Sequence, residues 1–132
     1  MESLAGSKLA ERVALVADGV DAMEYLRGEG KYAHGKRHLP AVAVLDVKMP
    51  RMDGFEVLQA IRADPALRHV PVVMLTSSKE EADVVRCYRY GSNAYVVKPV
   101  VFVDFMAVIR QIATFWGELN ELPPEGADID GR

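Results

Sequence analysis

The chain has 132 residues, 50% hydrophobic and 27% charged, which suffices for one domain with a real core and leaves nothing for a second. A formal net charge of −3 excludes the basic footprint of a general nucleic-acid binder, and no apolar run approaches the length of a bilayer span. A single cysteine, Cys87, excludes an internal disulfide and fits a reducing cytoplasm, and the opening MESLAGSKLAERV lacks the apolar stretch of a signal peptide.

In chain order, the first short apolar run is Val13-Ala14-Leu15-Val16, followed by a helical stretch from Val20 to Arg27. The segment from Gly28 to Pro40 is a loop whose basic portion, Lys31 to His38, is expected to be a solvated connector. Further apolar runs follow at Ala41 to Leu45, Val72 to Leu75 and Ala94 to Val97. None alternates cleanly, the pattern of parallel strands covered on both faces. Helices are predicted over Phe55 to Ala63, Lys79 to Tyr90 and Phe102 to Leu119.

Local punctuation agrees with these boundaries. Asp64-Pro65 and Val70-Pro71 break the chain between helix and strand. Ser78-Lys79-Glu80-Glu81 has the spacing of a capping box, and Gly91 falls where a helix ending at Tyr90 calls for a left-handed residue. The last helix carries Phe102, Phe105, Met106, Ile109, Ile112, Ala113 and Trp116 as a core face. A second stripe of Val108, Phe115 and Leu119 reads either as a wide core face or as a subunit or partner contact. His34, His38 and His69 lack metal-ligand spacing, and Cys87 is expected to be a small core residue. Strands alternating with helices imply an α/β domain with right-handed crossovers over residues 1–122, and a flexible tail over 123–132.

Ligands of such sheets bind at the carboxyl ends of the strands. Asp46 ends the second visible strand, Thr76-Ser77 the third and Lys98-Pro99 the fourth. Taken singly, such an aspartate is a turn former and such a lysine is solvated. Together, a carboxylate, a hydroxyl and an ammonium suit an anionic phosphoryl group, with the carboxylate attacking and the other two steadying its oxygens.

Three motifs in order, Leu45-Asp46-Val47-Lys48-Met49-Pro50-Arg51-Met52-Asp53-Gly54, Leu75-Thr76-Ser77-Ser78 and Tyr95-Val96-Val97-Lys98-Pro99, resemble the receiver domains of bacterial response regulators. The likeness runs from about residue 12 to 119, and it implies a flavodoxin-like, three-layer α/β/α receiver fold with a parallel sheet. The loop from Gly28 to Pro40 and the stretch from Phe115 to Pro124 are similar to single-domain regulators that partner phytochrome-type sensor kinases. The resemblance implies that Asp46 accepts a phosphoryl group from a histidine kinase, that Thr76 is the switch hydroxyl, and that Tyr95 is the aromatic that turns inward. It further implies that Lys98 binds the phosphoryl group and precedes a cis bond to Pro99. Mg²⁺ is the implied cofactor, held by Asp46 and the backbone carbonyl of Lys48, and the positions of Lys48 and Ser78 are implied to tune dephosphorylation.

Here the pattern breaks. Members of that family open with a strand ending in two adjacent acids that hold Mg²⁺, and no such strand or pair precedes Val13, where only Glu2 and Glu11 are acidic. The first strand is therefore expected to be lacking and Mg²⁺ binding weakened. In the family's strand order, 2-1-3-4-5, the lacking strand lies mid-sheet. Three outcomes stay open: the Val13 strand pairs directly with the Ala41 strand, a homodimer with exchanged elements covers the gap, or the chain starts short.

The sequence thus predicts a cytoplasmic, non-enzymatic response regulator that signals through protein contacts, without nucleic acid or membrane. The alternative is a pseudo-receiver, an interaction module that never turns over phosphate, as the lacking acidic pair suggests. An aspartate-nucleophile phosphatase fits poorly, because the position two after Asp46, where such enzymes want a second acid, is Lys48.

Overall fold

The computed structural model describes residues 13–16, 18–30, 39–77 and 81–121. Glu2 and Glu11, the basic loop 31–38 with His34 and His38, the predicted capping residues 78–80 and the tail 123–132 lie outside the described residues. Strands β1 (Val13–Val16), β2 (Val42–Asp46), β3 (Val72–Thr76) and β4 (Ala94–Val97) alternate with helices α1 (Gly19–Arg27), α2 (Gly54–Ala63), α3 (Glu81–Arg89) and α4 (Phe102–Thr114). The four strands form one parallel sheet in the order β1-β2-β3-β4. β1 pairs directly with β2, Val13 opposite Val42 and Val16 opposite Leu45, which is the first of the three outcomes.

Side-chain alternation divides β2 and β3 between two cores. On one face Ala43, Leu45, Val72 and Met74 meet Ala22, Met23 and Leu26 of α1, Phe55, Leu58 and Ile61 of α2, and Cys87 of α3. On the other, Val42, Val44, Val73 and Leu75 meet Ile109, Ile112 and Ala113 of α4. Each such aliphatic side chain contributes about 1.5–3 kcal/mol by leaving water, so these two layers carry most of the stability.

The helix ends follow from local chemistry. Asp18 caps α1 by accepting from Val20 N and Asp21 N at 2.9 and 3.1 Å. Asp53 and Glu56 form a reciprocal capping box on α2 that the sequence reading missed, although Asp-x-x-Glu is its signature. Gly91 follows α3 with φ +98°, as expected.

The α4 prediction needs correcting at its first turn. Ile109, Ile112 and Ala113 are buried and Phe105, Met106 and Trp116 are half-buried, but Phe102 is 73% exposed, because the helix begins beyond the sheet it covers. Val108 packs on the second core rather than on a separate stripe. Phe115–Leu119 continues as a π-helical turn, leaving Phe115 and Leu119 exposed. The Lys98–Pro99 bond is also corrected: it is trans, the geometry most X–Pro bonds take in folded chains.

Arg62, which the sequence reading did not single out, ties the far end of the sheet together. Its guanidinium donates to the carbonyls of Gly91, Arg68 and Val70 and to Asn93 Oδ1, at 2.7–2.9 Å. Asn93 Oδ1 also accepts Val72 N, the first amide of β3. Burial lowers the pKa of this guanidinium, yet its four acceptors keep it in place. Arg62→Met is expected to lower the unfolding free energy by about 2–4 kcal/mol in urea melts, because it strips partners from several half-buried acceptors. Burial also pushes the Cys87 thiol up to about 11. Its folded pKa lies above its ordinary 9.0, so stability should decline between pH 9.0 and about 11, where only the unfolded chain ionises. A Cys87→Ala variant should show a flatter pH–stability curve over that window.

Candidate functional site

Asp46 is the last residue of β2 and lies opposite Leu75 of β3, and Thr76 ends β3 opposite Val97 of β4. One step beyond β4, the Lys98 amide donates to the Thr76 carbonyl at 2.6 Å, so the ladder continues past the formal strand end. By alternation, Asp46 falls with Val42 and Val44 on the α4 side, and Lys98 falls there too with Ala94 and Val96. The Lys98 ammonium accordingly reaches Asp46 Oδ2 at 3.3 Å, with side chains 41% and 31% exposed. Solvated to that degree, the pair contributes at most about 1 kcal/mol to stability. What it achieves is placement of a cation on a carboxylate that keeps access to solvent.

The other predicted residues take distinct places. Thr76 is buried at the end of β3, one strand from Asp46, on the side opposite Lys98 by alternation. Tyr95 is half-buried and packs on the first core. Lys48 is exposed, and its amide donates to Asp46 Oδ1 at 3.1 Å, closing a turn at the strand end. The structure therefore joins Asp46 directly to Lys98 and to the Lys48 backbone, sets Thr76 at the neighbouring strand end, and keeps Tyr95 in the adjoining core.

The segment after Asp46 is held from several sides. Val47 N donates to Leu75 O, and Gly54 N donates to Val47 O at 2.9 Å, so the loop closes on its own stem. Gly54 is there because of space. A Cβ at that position would overlap the Asp46 carbonyl oxygen and crowd Val47 Cα and the Met74 methyl. At the loop's tip Met52 N donates to Pro50 O at 2.7 Å around Arg51, whose φ is +66°. A hydrogen-bonded three-residue turn with positive φ at a non-glycine centre is strained by about 1–3 kcal/mol. The compensation comes from α1: the Arg51 guanidinium donates to Asp18 Oδ2 at 2.8 Å, and Gly19 N reaches Pro50 O at 3.4 Å.

Asp18, the described acid next after β1, is already engaged. Its carboxylate is engaged by Arg51 on one oxygen and by two α1 amides on the other, and Arg51 holds its pKa below the ordinary carboxylate value. Among the described residues no cluster of three or more His, Cys, Asp or Glu is placed to hold a metal. Mg²⁺ wants a near-octahedral shell of oxygens. The described donors, the Asp46 carboxylate and the Lys48 carbonyl, do not build such a shell by themselves. No helix among the described residues is long and apolar enough to cross a membrane.

Comparison with known proteins agrees with this geometry. Residues 1–110 match the family model described as the response regulator receiver domain. The response regulator Rcp1 of Synechocystis sp. is 35% identical over 122 residues, which cover 92% of this chain and 82% of that protein. The crystal structure of the phosphorylated cyanobacterial phytochrome response regulator RcpA superposes with a TM-score of 0.79 at 38% identity, covering 92% of this chain and 86% of that one. The bacteriophytochrome response regulator AtBRR is 48% identical with a TM-score of 0.64, covering 91% and 86%. Rcp1 has also been solved with Mn²⁺ bound, with a TM-score of 0.71 at 37% identity over 82% of this chain and 76% of that one. The fold is thus the flavodoxin-like receiver fold, with a parallel sheet between helices.

Gly54→Ala is the sharpest probe of the loop stem. Overpacking against backbone is expected to cost about 1–3 kcal/mol in chemical denaturation. An unchanged midpoint would mean that the stem yields easily.

Proposed function

The chain belongs to the response regulator receiver family of two-component signalling, and on that premise we propose that it accepts a phosphoryl group on Asp46 from a sensor histidine kinase and signals through protein contacts. The observation that carries this reading is the Lys98 ammonium 3.3 Å from the Asp46 carboxylate at the carboxyl edge of a parallel sheet. An Asp46 oxygen attacks the phosphorus of a phosphohistidine. The new O–P bond forms as the P–N bond breaks, and the electron pair returns to the imidazole. Lys98 then moves from carboxylate to phosphoryl oxygen, and the Thr76 hydroxyl, at the end of the neighbouring strand, turns across the sheet edge as a second donor. Tyr95 is the aromatic proposed to respond, from its half-buried place on the first core.

Mg²⁺ or a similar divalent ion is the proposed cofactor, with Asp46 and the Lys48 carbonyl as its ligands on this chain. Such an ion supplies charge neutralisation for the transferring group. Two donors support weak binding only. The phytochrome link of RcpA supports a phytochrome-type kinase as the upstream partner. A reducing cytoplasm is the proposed location, where the buried Cys87 thiol stays reduced. The net charge of −3 supports an output through protein rather than nucleic acid. A second copy of the chain is proposed to dock on α4 and its π-helical end, where Phe102, Val103, Phe115 and Leu119 are exposed.

A second reading, a receiver that binds partners without turning over phosphate, is favoured by the lack of an acidic metal cluster among the described residues. One measurement separates the two. With Mg²⁺ and a small phosphodonor, intact mass should show one added phosphoryl group, stable in acid, labile in base and absent from Asp46→Asn. Wild type and variant behaving alike would exclude the acceptor role. For the dimer, light scattering should give a mass above the monomer at micromolar concentration, and Leu119→Glu should return it to the monomer.

A further inference from the structure

Lys98 poses a positioning problem. A lysine carries four rotatable bonds, and holding it against a partly exposed carboxylate costs more side-chain entropy than a solvated ion pair returns. Yet the ammonium sits 3.3 Å from Asp46 Oδ2. Its second contact is the ring of Phe105, with Nζ over the ring at 5.3 Å from the centroid, inside the range of cation–π attraction.

Phe105 is well placed to be the fixed partner. It lies on the second turn of α4, where its amide donates to Val101 O at 3.0 Å, and its side chain is half-buried against the second core. Alternation brings Asp46 and Lys98 to this same side of the sheet. The ring therefore belongs to a packed element, while the ammonium it faces sits at the end of a long, partly exposed side chain.

Resting on the acceptor reading of Asp46, we propose that Phe105 is a positioning residue: its ring face holds the Lys98 ammonium beside the acceptor carboxylate and couples α4 to the state of that carboxylate. When a phosphoryl group extends from Asp46, the ammonium follows the new oxygens outward and loosens from the ring. The start of α4, where Val101, Phe102 and Val103 are exposed, feels the change.

The test separates ring electronics from ring shape. Phe105 is replaced by Leu, by Tyr and by phenylalanines of rising fluorine content, which keep the shape and drain the ring's negative face. Two quantities are read: phosphorylation rate with a small phosphodonor and Mg²⁺, and the NMR shift of the Lys98 ε-methylene protons. Wild type and Phe105→Tyr should show upfield-shifted protons and similar rates. Phe105→Leu should lose the shift, and the rate should fall about two- to fivefold, graded through the fluorinated series. A rate indifferent to fluorination, or Lys98 protons without a ring-current shift in wild type, overturns the proposal. If wild type takes no phosphoryl group, the acceptor reading fails by itself, and the ring-current shift alone upholds or overturns the placement of Lys98. Should Phe105→Leu misfold, the fluorinated series still decides.

Discussion

A parallel ladder gives each residue one partner, and the ladders between β2, β3 and β4 set everything at the carboxyl edge. Asp46 faces Leu75, Thr76 faces Val97, and Lys98 lies one step further. A slip of one residue in β2 would turn Asp46 to the α1–α2 side and bring Leu45 into the α4 core's place. The fully buried Val42, Val44 and Val73 on one face, and Leu45, Val72 and Met74 on the other, make any such slip costly. The register that aims the carboxylate is thus fixed by apolar packing several residues away.

Packing sets the direction of the site, and backbone hydrogen bonds set its fine shape. Gly54 lets α2 start directly against the Asp46 carbonyl, the Asp53–Glu56 box fixes that start, and the strained turn at Arg51 is anchored to Asp18. Without Asp18 the loop after Asp46 would lose its brace. The arrangement also answers a conflict. Asp46 keeps access to solvent, which leaves its ion pair weak, so its frame is held by neighbours.

Much of this was legible in the sequence. Short apolar runs marked the strands, and the polar residues closing them, Asp46, Thr76 and Lys98, marked the edge where they meet, because a strand's end is local information. What escaped depends on contacts between distant segments. Arg62 reads as an ordinary exposed helix cation until Gly91, Asn93 and Val70 are folded around it. The Asp18–Arg51 brace joins residues 33 apart, and helical spacing places Phe105 on a core face without revealing its contact with Lys98. Phe102 escapes for a related reason: helical periodicity tells which side faces inward, not where the sheet beneath the helix ends. Direct pairing of β1 with β2 stood among the alternatives, since strand pairing is decided by the whole sheet.

The order β1-β2-β3-β4 has a consequence for how the chain assembles. Each described strand lies beside the one made just before it, so these crossovers join nearest neighbours. Domains acquire structure from the amino end as they leave the ribosome. These four strands can therefore pair one after another. Asp46 would be in place early, while Lys98 and Phe105 arrive with the last strand and helix. During synthesis the Asp46 carboxylate stands without its cation until Lys98 and α4 have docked.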